Sequence, residues 1–89
     1  MYKIFAPIKV DKQLSKLARQ DAKKVSQAIL KLTNPFRKDL NIKKITGQKD
    51  FYRLRIGKVR AIFEVDKEEK EVWIRKVGYR ASVYRLLGV

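Results

Sequence analysis

Residues 51–65, FYRLRIGKVRAIFEV, alternate in polarity on both sides of one glycine. Tyr52, Leu54 and Ile56 form an apolar row, and Phe51, Arg53 and Arg55 form the opposite one. Beyond Gly57-Lys58, Val59, Ala61, Phe63 and Val65 fall on one side and Arg60, Ile62 and Glu64 on the other. A period of two sends successive side chains to opposite faces of a strand. Two such runs joined at a glycine-containing pair read as a β-hairpin. The hairpin is half-buried, and its open face carries three arginines.

The remainder of the chain supplies the layer that covers the other face. Tyr2-Lys3-Ile4-Phe5 is a short β-like run ending near Pro7. From Asp11 to Leu32 apolar residues recur every three or four positions, as on one stripe of a helix. Asp11 is a plausible N-cap. The stripe lapses at Arg19-Gln20-Asp21, where Asp21 could cap a second helix, so the segment reads as a helical hairpin. Asn34-Pro35 ends it, because the residue before a proline is biased away from helix. The period then switches to two. Ile42–Thr46 is a strand, Gly47–Asp50 a turn, and Asp66–Glu71 another turn after the hairpin. Glu71–Val77 is a strand that Gly78 breaks, with Trp73 expected in the core between Val72 and Ile74. Ala81–Leu87 reads as a short C-terminal helix. The order β-α-α-β-β-β-β predicts one α+β domain over residues 1–89. Its two helices pack on one face of a four-strand antiparallel meander preceded by the N-terminal strand.

Charge narrows the partners. With 23 Lys and Arg against 9 Asp and Glu, the net charge is +14 on 89 residues. Self-repulsion of this size favours an anionic partner, with nucleic acid first, an acidic protein second and an anionic membrane third. No apolar run approaches the roughly 20 residues that span a bilayer, and MYKIFAPIKV lacks a signal-peptide core. Histidine and cysteine are both absent. That excludes a Cys/His zinc site and a thiol nucleophile. The expectation is a cytoplasmic protein without disulfide, metal or cofactor.

The arginines suggest what such a face holds. Guanidinium forks bind phosphate bidentately and stay charged. Arg53 and Arg55 project together, roughly 7 Å apart along the strand. Arg60 lies across the turn on that face, and Gly78-Tyr79-Arg80 brings Arg80 within reach. Tyr84 follows one helical turn later, and Lys58, Lys76 and Arg85 widen the basic surface. The patch fits an RNA backbone, with an aromatic ring available to stack on a base. The same arginines on an exposed strand also serve plain solubility.

Two stretches carry a family resemblance. ITGQKDFYRLRIGKVRAIFEV, containing the Gly47–Arg60 hairpin, and VGYRASVYR, from Val77, follow a helical hairpin ending in Asn-Pro. In this order they resemble the RelE/ParE toxin superfamily, and in particular the RelE-type messenger-RNA interferases, over nearly the whole chain. The resemblance implies a toxin that cuts mRNA in the ribosomal A site and is silenced by a cognate antitoxin. It also implies a site made of two basic residues on one strand, two arginines and a C-terminal tyrosine. The matching positions are Arg53, Arg55, Arg60, Arg80 and Tyr84. Arginines stand at the first two positions, where the best-studied RelE pattern has lysines.

That replacement bears on mechanism. Attack by a 2′-hydroxyl on the adjacent phosphate needs a base, charge stabilisation and an acid for the 5′-oxygen. Arginine stabilises charge but practically never releases its proton. Tyr84 is then the best proton-transfer group, its ordinary pKa of about 10 lowered by neighbouring guanidiniums. Lys58, Lys76, Asp50 and Glu64 are unranked alternatives. Two other functions fit the same fold: a ParE-like toxin that poisons gyrase without catalysis, and a degenerate member that only binds RNA. The charge further predicts an acidic or amphipathic antitoxin segment lying across the basic sheet.

Overall fold

The switch of period at Pro35 is also where the architecture changes. The computed structural model describes residues 1–47 and 49–79. Strand β1 (Lys3–Phe5) leads into helices α1 (Ile8–Ser15) and α2 (Arg19–Leu30), and a single 3-10 turn (Lys31–Thr33) ends the helical half. Four strands follow: β2 (Asn41–Lys44), β3 (Phe51–Ile56), β4 (Val59–Asp66) and β5 (Glu71–Tyr79). They form one sheet of order β1-β5-β4-β3-β2. Only β1 runs parallel to its neighbour, pairing Lys3 with Glu71 and Phe5 with Trp73; the rest are antiparallel. The α+β layering with two helices and an antiparallel four-strand set agrees with the order read from the sequence.

Both helices cover one face. Val10, Leu17, Val25 and Ile29 meet Leu54, Val59, Ala61, Phe63, Val72 and Ile74 in one apolar cluster. Each large side chain buried there contributes about 1.5–3 kcal/mol, and Leu54, Phe63 and Ile74 are fully buried. The edge of this layer is closed by aromatic packing of Phe36 on Tyr52 and Tyr2, with Tyr52 stacked on Phe63. A smaller cluster of Ile45, Ile62 and Phe51 lies on the opposite face, helix-free among the described residues.

The caps differ from expectation. α1 begins after Pro7 rather than at Asp11, since proline presets φ for a helix start and has no N–H to leave unpaired. α2 begins after Ala18, with Asp21 inside its first turn. Asp21 instead accepts the Tyr79 hydroxyl proton at 2.8 Å, and that oxygen in turn accepts from the Ala18 N–H at 3.1 Å. The acidic side chain therefore ties the helix start to the end of β5. β5 also runs through Gly78 to Tyr79 instead of stopping at Val77, because Arg60 and Val59 of β4 continue to pair with it. The helix expected at 81–87 lies outside the described residues.

Gly57 adopts φ +58° in the two-residue β3–β4 loop, the first central position that a type II′ hairpin turn reserves for glycine. Among the described residues, no helix is long and apolar enough to cross a membrane.

Candidate functional site

Strand register builds the helix-free face row by row. Residues directly opposite in adjacent strands share a face, and Cα pairing aligns Asn41, Arg55, Arg60 and Gly78 across β2 to β5. The next row holds Lys43, Arg53, Ile62 and Lys76. Neighbouring positions in a row are about 4.8 Å apart and the rows roughly 7 Å apart. Five cations thus occupy two adjacent rows above a floor made by Ile62. Alternation of β3 and β4 does this directly, since Leu54 and Ala61 must point into the helix-side core.

The members differ in surroundings. Arg55 is exposed and Arg53 half-buried. Arg60 is only 6 % exposed. Its Nη1 donates to the Gly57 carbonyl at 3.1 Å and to the Val59 carbonyl at 3.2 Å. Arg60 therefore staples the β3–β4 loop, an arrangement that positions Arg55 beside it. Gly78 opposite Arg60 brings no side chain to the row. Lys58 is exposed in the β3–β4 loop. Where α1 meets the end of β5, a cavity of about 280 Å³ is lined by Gln13, Lys16, Lys76 and Tyr79, and the Gln13 Oε1 accepts from the Val77 N–H at 2.8 Å.

Not every candidate comes together. Glu64 is held by Arg75, whose Nη2 and Nε donate to its Oε1 at 2.7 and 3.0 Å. Asp50, with φ +63°, sits at the far end of the hairpin, where its carbonyl accepts from Val65. Arg80, Tyr84 and Arg85 lie outside the described residues. Lys43 went unnoticed in the sequence because the offset of β2 against β3 has no local signature. Trp73 is a correction: it occupies the helix-free face rather than the core. Val72 and Ile74 are both fully buried on the helix side, so the residue between them must point away. Off the face, Arg37 hydrogen-bonds Asp39 at 2.6 and 2.8 Å; this pairing holds the carboxyl below its ordinary range and raises the guanidinium. Among the described residues no group of three or more carboxylate, His or Cys side chains could hold a metal ion.

Chemically, two rows of fixed cations can hold consecutive phosphates and stabilise extra negative charge on one of them. The family model for the ParE toxin of the type II toxin–antitoxin system, parDE, matches residues 1–84. A Methanocaldococcus jannaschii protein described as a candidate toxin RelE1 is 35% identical over 79 residues, covering 86% of this chain and 88% of that protein. In the crystal structure of the RelB–RelE antitoxin–toxin complex from Methanococcus jannaschii, one chain superposes with a TM-score of 0.77 at 26% identity. It covers 92% of this chain and 96% of that one. The isolated E. coli RelE toxin shares the fold, with a TM-score of 0.73 at 19% identity over 99% of this chain and 96% of that one.

Proposed function

Because this chain belongs to the RelE/ParE superfamily of type II toxin–antitoxin toxins, and is most similar to RelE, we propose that it cleaves mRNA in the ribosomal A site. The observation that carries this reading is the pair of cation rows, which set Arg53 and Arg55 side by side on the face that neither α1 nor α2 covers. In the proposed reaction the 2′-oxygen of one nucleotide bonds to the adjacent phosphorus while the bond to the 5′-oxygen breaks. The products are a 2′,3′-cyclic phosphate and a free 5′-hydroxyl. Arg53, Arg55 and Arg80 stabilise the phosphorane, and Arg60 holds the loop that presents Arg55. Tyr84 moves the proton, with Lys43 and Lys76 flanking as groups that can exchange one, as arginine cannot. RelB antitoxins accompany the M. jannaschii and Pyrococcus horikoshii relatives; an acidic or amphipathic antitoxin segment across these rows would neutralise this chain likewise.

Purified protein on programmed ribosomes, with mRNA ends mapped, tests the reading. A-site cuts are expected, reduced in Arg80→Ala and Tyr84→Phe with the fold intact. Intact mRNA beside a working control toxin would sink it. The matching family model, which describes a parDE toxin, favours one second reading: a gyrase poison. Expression would then induce the DNA-damage response while translation continued.

A further inference from the structure

Trp73 is the only tryptophan of the chain, and its surroundings are not those of a core residue. Register places it in a third row of the helix-free face, Phe5–Trp73–Glu64–Phe51 across β1, β5, β4 and β3. The Phe5 ring lies parallel to it at 4.4 Å, with an interplanar angle of 13°. The Arg75 guanidinium carbon stands 5.1 Å from the indole centroid. Two hydrogen bonds to Glu64 fix that guanidinium, and the indole Nε1 donates to Glu71 at 3.0 Å. All three stacked groups are half-buried or exposed, and among the described residues β1 is the edge of the sheet, with no strand beyond Phe5.

This row adjoins the cations. Glu64 is two residues from Ile62 along β4, roughly 7 Å, and on β5 the irregularity that leaves Arg75 without a register partner sets Trp73 three residues from Lys76, roughly 10 Å. Proteins that hold single-stranded RNA combine a basic track with aromatic or arginine planes on which bases stack. The local charges divide the labour. Carboxylates of Glu64 and Glu71 at the stack discourage phosphates and acidic peptide side chains but not neutral base faces, whereas the adjacent rows attract phosphate.

We propose that Phe5, Trp73 and Arg75 form a stacking platform for unpaired bases of an RNA strand whose phosphates follow the two cation rows. This rests on the RNA-cleaving reading and adds to it a base-contacting surface away from the reacting phosphate.

Trp73 is its own reporter. A short oligoadenylate titrated into the whole protein should quench indole emission, while heparin, a polyanion without bases, should bind without comparable quenching. Filter binding should show affinity for the oligoadenylate about fivefold weaker or more in both Arg75→Gln and Phe5→Leu, the lower range for loss of one stack. Arg75 is exposed, so its variant retains the fold even if Phe5→Leu loosens the sheet edge. Absent RNA quenching, equal quenching by heparin, or unchanged affinity in Arg75→Gln overturns the platform. A-site cleavage with any of these results leaves the proposed reaction standing without the platform. Quenching and weakened variants with no cleavage leave the platform and remove the reaction.

Discussion

Arg55 and Arg60 are register partners with opposite fates. One faces solvent, and the other is buried with its guanidinium on the Gly57 and Val59 carbonyls. Removal should therefore separate binding from stability. Arg55→Ala should change the urea unfolding free energy by less than about 0.5 kcal/mol, as exposed substitutions do. It should nonetheless slow ribosome-dependent cleavage by about a hundredfold, the scale for one preorganised charge-stabilising donor. Arg60→Ala should cost about 2 kcal/mol of stability, because it removes charge-assisted hydrogen bonds to buried carbonyls. Any loss of cleavage in that variant should scale with the unfolding seen in the same urea titration. Tyr79→Phe addresses another single group, the hydroxyl that joins Asp21 to the Ala18 N–H. It should cost about 1 kcal/mol and speed amide exchange at Ala18, measurable by NMR.

At the scale of elements, the β3–β4 hairpin depends on a backbone that only glycine adopts without strain. A Cβ at Gly57 would meet nothing within 4 Å, so the cost of Gly57→Ala is conformational alone. Thermal melts should show about 1 kcal/mol lost, and less in Gly57→Asn, since asparagine tolerates the left-handed region better. This hairpin was the most legible element in the sequence, because alternation and turn chemistry agree there. The helical hairpin was legible from its stripe, while its exact starts were not: Asp11 and Asp21 have the chemistry of caps, yet Pro7 and Ala18 precede the helices. Gly78 looked like a strand end because glycine weakens strands, but pairing with Arg60 overrides that preference. Trp73 looked buried because apolar residues flank it, although those flanks are what force it outward. Lys43 reached the face through a cross-strand offset that only three-dimensional pairing defines. Local periodicity thus identifies which residues share a strand face, but not which strands meet.

For the whole molecule, charge governs both stability and partners. A net +14 on 89 residues repels itself in the compact state. Raising sodium chloride from about 0.05 to 0.5 M should shorten the reach of that repulsion and raise the melting temperature by several degrees in differential scanning fluorimetry. Over the same range affinity for single-stranded RNA should fall steeply, since each neutralised phosphate releases counterions. The two trends have opposite signs, so one salt series separates self-repulsion from ligand attraction. The parallel pairing of Lys3 with Glu71 also sets a timetable. β1 waits for β5 before the two can pair, and such distant pairings form late. β5 then supplies Lys76 and Gly78 to rows whose other members were made earlier. In the proposed role, a nascent chain that still lacks β5 is harmless to the ribosome producing it, because its cutting surface is completed only once β5 has joined the sheet.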